Sequence, residues 1–137
     1  LGGDVPARSQ NGASLGGALK EFGAIDPARL LEQLGGDSVG VEKLLLGFLR
    51  EAPETVTRLR AALTARDAPG AEHAAHRLKG LLAWISARTA AARVAEIEQL
   101  ARSGDLDSAS GRLPELLREL DRVYAEARSA TVGAGKR

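Results

Sequence analysis

The chain's two imidazoles, His73 and His76, lie three residues apart in the stretch from Ala71 to Ser86. A neutral imidazole keeps one ring nitrogen with a free lone pair, and an unperturbed pKa of about 6.5 leaves much of the ring in that form near neutral pH. Such a nitrogen can attack an electrophile such as phosphorus. Placed on a helix at roughly 100° per residue, Ala71, Ala74, Ala75, Leu78, Leu81, Leu82 and Ile85 form one apolar stripe, and His76 falls nearly opposite it. Lys79 and Gly80 follow three and four residues later, so they sit beside His76 one turn along. Glycine inside a helix costs about 1 kcal/mol relative to alanine, so Gly80 needs a reason. Either another helix of the protein comes close there, or something large must reach His76, such as a phosphoryl group and the protein delivering it. The spacing leaves both readings open. His73 reads as a solvated side chain. A metal held by His73, His76 and Glu72 or Glu98 is disfavoured, because structural zinc takes four ligands and the chain has no cysteine.

The run Ala74-Ala75-His76-Arg77-Leu78-Lys79-Gly80, followed by Ser86-Ala87 and by Ile97-Glu98-Gln99-Leu100 on the next helix, resembles a histidine-containing phosphotransfer (HPt) domain. The family pattern is Ala-His-x-Leu-Lys-Gly, then Gly-Ala, then a Leu/Ile-Glu pair on the following helix. Ser86 stands where the family often has glycine. Serine is a good helix N-cap, so it is expected to open the following helix. In the family, the histidine matching His76 is phosphorylated at Nε2. Its other nitrogen, Nδ1, is best held by an acceptor that fixes tautomer and ring orientation. Glu98 is the candidate, at the edge where two antiparallel helices meet, with Gln99 as the alternative if the register slips by one. Without the resemblance, Glu98 would read as an ordinary solvated glutamate. Lys79 is expected to offset phosphoryl charge, against the common fate of a surface lysine.

The resemblance implies a phosphorelay: phosphoryl passes from the aspartate of a response-regulator receiver domain to His76, then to the aspartate of a second receiver. The docking surface is expected to include Arg77, Gly80, Ala83 and Leu46, with Arg88 a weaker candidate. Trp84 is expected to pack, since an indole usually buries most of its area. No Walker loop and no Gly-rich phosphate loop after a strand is present. No acidic triad for magnesium is present either, so no cofactor and no metal are expected, and the catalytic aspartate and Mg²⁺ belong to the receiver. Two other readings remain. One is a substrate domain phosphorylated directly by an ATP-dependent kinase of the chemotaxis type. The other is an adaptor bundle whose histidine is incidental. A hydrolytic enzyme is least supported, for want of a nucleophile–base–orienter set.

The composition agrees with a helical carrier. Of 137 residues, 44% are hydrophobic and only 3% aromatic, so the core has to be built from Leu, Ala, Val and Ile. A formal net charge of +1 provides no basic field for nucleic acid. No apolar run approaches the roughly 18 residues of a membrane span, and no signal peptide is visible. The absence of cysteine excludes disulfides and thiolate chemistry. Methionine is absent and residue 1 is leucine, which suggests a piece of a longer protein. Placed C-terminally in a hybrid sensor histidine kinase, such a module would be cytoplasmic, with the parent anchored in the inner membrane. A monomer is expected.

The elements that position these residues follow from caps and periodicity. Residues 1–21 are rich in Gly and Ser and read as linker. Asp26-Pro27 starts a short helix that stops at Gly35-Gly36. A second helix begins at Asp37 or Ser38 and is expected to end or bend at Ala52-Pro53. A third runs from about Pro53 to Ala65, and Asp67 to Gly70 turns into the histidine helix. A fifth carries Ala90, Val94, Ile97 and Ala101 inward and ends at Ser103-Gly104. The last spans about Asp107 to Ser129, with a kink or an early break expected at Pro114, and residues 130–137 read as a frayed tail. Short connections favour antiparallel neighbours. The expected fold is therefore all-α: an up-down antiparallel four-helix bundle with two additional short N-terminal helices, the domain spanning residues 22–129.

Overall fold

The computed structural model describes residues 23–135, with side chains through Thr131. The linker expected over 1–21 lies outside the described residues, as do Lys136 and Arg137. Within them the chain forms five helices: α1 (Pro27–Gln33), α2 (Ser38–Thr64), α3 (Ala68–Trp84), α4 (Arg88–Arg102) and α5 (Leu106–Gly135). Among the described residues there is no strand. Helices α2 to α5 form the up-down antiparallel bundle, each packed on the next and α5 closing back on α2, so that α3 and α5 are the diagonal pair. The core between them is almost wholly aliphatic, with Leu45, Leu59, Leu78, Leu82, Ile97, Leu116 and Leu120 essentially inaccessible.

The break expected at Pro53 does not occur. Helix α2 runs through it for 27 residues, so one short helix precedes the bundle rather than two. The apolar stripe explains why. Leu45, Phe48, Ala52, Val56, Leu59 and Leu63 are all buried and keep helical spacing across the proline. Pro53 itself is on the exposed face, where water can serve the Leu49 carbonyl that loses its partner. Packing of the stripe outweighs the local cost. Pro114 is tolerated in the same way inside α5, on an exposed position between the half-buried Leu113 and the buried Leu116. Of the tail expected over 130–137, the described part continues α5 to Gly135, and Thr131 is buried.

Helix starts follow the acidic caps. Asp26 accepts from the Arg29 amide, Asp37 from Gly40, Asp67 from Gly70 and Asp105 from Ser108. The N-terminal segment is tied down by Glu126 of α5, whose carboxylate oxygens accept from the amides of Ala24 (3.2 Å) and Ile25 (3.0 Å).

The turn between α3 and α4 corrects the role expected of Ser86. It is not an N-cap; Ala87 occupies that place without a side-chain bond. Ser86 instead adopts a φ of 57°, in the left-handed region. Its amide donates to the Ala83 carbonyl and that of Ala87 to the Leu82 carbonyl, the paired bonds of a Schellman ending. Glycine adopts this conformation without the steric penalty that serine bears. Ser86→Gly is therefore expected to stabilise the fold by about 1 kcal/mol, read as a higher urea midpoint at unchanged slope. An unchanged or lower midpoint would count against this account.

Candidate functional site

The stripe on α3 is buried as its spacing requires, with Ala71, Ala75, Leu78 and Leu82 at 0% exposure. That burial turns the opposite face outward, and the His76 side chain is 70% exposed. On α4 the stripe of Ala90, Val94, Ile97 and Ala101 is likewise buried. Glu98, next to Ile97, falls at the seam with α3, its side chain only 5% exposed. The three-residue turn of Ile85, Ser86 and Ala87 sets the register between the helices. His76 then faces Glu98, and Glu72 faces Arg102, each pair straddling Ala87 symmetrically.

Glu98 collects three donors. Its Oε2 lies 2.8 Å from His76 Nδ1 and 3.2 Å from Arg102 Nη2, and its Oε1 lies 2.6 Å from Lys79 Nζ. Arg102 is held in turn by Glu72, Nε to Oε2 at 2.7 Å. Burial works to raise the Glu98 pKa, but the bonds from Lys79 and His76 and the attraction of both groups outweigh it and hold the carboxyl below the ordinary glutamate value. An ionised carboxylate only accepts, so Nδ1 carries the hydrogen, and in the neutral ring the lone pair is on Nε2. Among the described residues nothing bonds to Nε2.

The other residues singled out in the sequence lie around this centre. Gly80 is exposed, and a Cβ added there would meet nothing within 4 Å. No helix of the described chain approaches it, so of the two readings of this glycine the first falls away. Ala83 is exposed, as are Gln99, Arg88 and His73. Arg77 is half exposed and bonds to Glu51 of α2 at 3.1 Å. Leu46 is exposed at 45%. Trp84 departs from the packing expected of it and is 63% exposed. A shallow concavity beside His76 is lined by Glu51, His73, Arg77, Gly80, Leu81 and Trp84. Among the described residues no three His, Asp or Glu side chains gather as a metal site would need. Sequence reasoning missed Arg102, and weighed Glu72 only as a disfavoured metal ligand. The signals were the i, i+4 spacings of Glu72 to His76 and of Glu98 to Arg102.

Because the folded-state value of Glu98 lies below its unfolded value, its contribution to stability is present above about pH 4.5 and is lost as the pH falls through the folded value. Glu98→Gln is expected to cost about 1–3 kcal/mol at pH 7. The gap between native chain and variant should narrow on acidification below about pH 4.5, the ordinary glutamate value. Urea titrations at pH 7 and pH 3 would check both; a gap independent of pH would sink the assignment.

Comparison with known proteins agrees with this geometry. The Hpt domain family model matches residues 43–126. Among solved structures, the crystal structure of histidine-containing phosphotransfer protein B (HptB) from Pseudomonas aeruginosa PAO1 is similar with a TM-score of 0.73 and 28% sequence identity, over 79% of this chain and 94% of that one. No curated protein matches the chain. The match spans the histidine helix, its partner helix and the turn that registers them, and the chain belongs to the Hpt domain family, the histidine phosphotransfer modules of two-component signalling.

Proposed function

We propose that His76 is the phosphoacceptor of this module. Hpt domains are phosphocarriers rather than ATP-dependent enzymes, and they work with response-regulator receiver domains. The observation that carries the assignment is the division of the His76 ring: Nδ1 is held by a buried carboxylate, and the rest of the ring is open to solvent. The Nε2 lone pair attacks the phosphorus of a receiver's aspartyl phosphate. The P–O bond to the aspartate breaks, its electron pair leaves with the carboxylate, and an N–P bond forms. Nδ1 keeps its proton throughout, so the ring becomes cationic as the bond forms. Glu98 is already in place to stabilise that charge, which is stronger in the transition state than in the ground state. Transfer to a second receiver reverses the same steps.

Lys79, one turn from His76, offsets the phosphoryl oxygens, and the open space over Gly80 admits them. The receiver is proposed to dock over Gly80, Ala83, Arg77 and Leu46, with the Trp84 indole as its apolar anchor. Exposed aromatics beside a reactive group are enriched among residues that dominate interface energies. No helix among the described residues is long and apolar enough to cross a membrane. We further read the chain as a cytoplasmic monomeric module of a hybrid sensor kinase whose membrane parts lie elsewhere in the parent, with the bundle from residue 22 onward as the working unit.

The test is transfer from a phosphorylated receiver to the purified chain, followed as acid-labile phosphate. The native chain and His73→Gln are expected to take label, and His76→Gln to take none. Label on His76→Gln would overturn the assignment, and label appearing only with ATP and a kinase domain would reassign the donor. Trp84→Ala is expected to raise the KM for the receiver roughly tenfold with little change in the saturating rate. An unchanged KM would remove Trp84 from the docking surface.

A further inference from the structure

Glu98 is gripped from both sides, and the two grips differ. Lys79 holds Oε1 through a compact ammonium on a flexible four-carbon stem. Arg102 holds Oε2 through one arm of a planar fork whose Nε is bound to Glu72 on the neighbouring helix. With a cation on each oxygen, the plane of the carboxylate is set, and the remaining lone pair of Oε2 points at His76 Nδ1.

The phosphoryl group changes this balance, on the reading that His76 accepts it. Lys79 is the only one of the two cations that lies one helical turn from His76 on the same helix, so it is the one drawn to the new negative charge. Once it turns outward, Oε1 of a carboxylate with 5% exposure loses its donor. His76 and Arg102 then remain on Oε2; without Arg102 the buried carboxylate would keep the imidazole alone, poorly stabilised and free to rotate.

We infer that Arg102, braced by Glu72, is a positioning residue for phosphoryl transfer: it keeps the Glu98 carboxylate aimed at His76 Nδ1 while Lys79 moves to the phosphoryl group. Arg102 touches neither the imidazole nor the phosphoryl; it acts through Glu98. An exposed ion pair is ordinarily worth little. This one differs because its acceptor is buried and because the guanidinium is fixed at a second point on α3, across the seam.

The experiment uses the full chain as native protein, Arg102→Gln, Arg102→Lys and Glu72→Gln. The Arg102 side chain is 54% exposed, so these variants are expected to fold. Two quantities are read. The first is the pair of ¹⁵N shifts of the His76 ring, assigned in a His73→Gln background, which separate when one tautomer is held and converge when both are populated. The second is the rate of phosphotransfer against receiver concentration. Arg102→Gln should bring the two ring shifts together and lower the saturating rate roughly three- to tenfold, with the receiver KM within about twofold of native. Arg102→Lys should recover part of both, and Glu72→Gln should move both in the same direction by less. Native shifts and native rate in Arg102→Gln would overturn the inference, as would a change confined to KM. A native chain that takes no phosphoryl from any receiver would overturn the reading of His76 itself. A labelled native chain with an unaffected Arg102→Gln would overturn only the part given to Arg102.

Discussion

A carboxylate placed at a helix–helix seam, out of reach of water, has to gather donors or give up its charge. Glu98 gathers three, two of them from α3 and one from its own helix. That requirement governs the geometry of the pair. It needs α3 and α4 close together, which their small facing residues permit: Ala71, Ala74 and Ala75 on one side and Ala87, Ala90 and Ala101 on the other are all buried. It needs a fixed register, which the three-residue turn with its left-handed Ser86 supplies. Larger side chains along the seam would lift the carboxylate out of reach of the imidazole, and one residue more in the turn would aim a different side chain at it.

The site is thus assembled from opposites. The carboxylate is buried and pinned, while the imidazole it holds is open to solvent. The bundle achieves this by placing His76 opposite its own helix's buried stripe and Glu98 at the margin of the next helix's stripe. Nothing in the core has to move for the ring to react. The pairing of ring and carboxylate is held in place by the packing of the aliphatic interior.

Much of this was legible in the sequence because it rests on periodicity and short turns. The outward His76, its neighbours Lys79 and Gly80, and the edge position of Glu98 all follow from counting 3.6 residues per turn across two helices joined by a short connection. What was not legible depended on tertiary context. A proline announces a break, and only the uninterrupted buried stripe of α2 shows why Pro53 does not make one. Ser86 suggests a cap by residue type, yet the position demands a left-handed backbone, which no propensity of serine reveals. Trp84 suggests burial by size, but it lies on the face that the stripe turns outward. Glu72 and Arg102 look like any charged pair on a solvated face until the register brings them together across the seam.

The mooring of Ala24 and Ile25 to Glu126 decides where the preceding chain meets the bundle. That point lies on α5, the helix diagonal to α3. A receiver carried upstream on the same polypeptide therefore starts on the far side from His76 and has to pass round a body roughly 20 Å across. Its effective concentration at the imidazole is set by tether length: too short a linker gives none, and a longer one dilutes it slowly. A receiver diffusing freely meets no such restriction. In the role proposed for His76, the carboxylate that anchors the N-terminal segment would make exchange with a tethered receiver a matter of linker reach and leave exchange with a free one to ordinary collision.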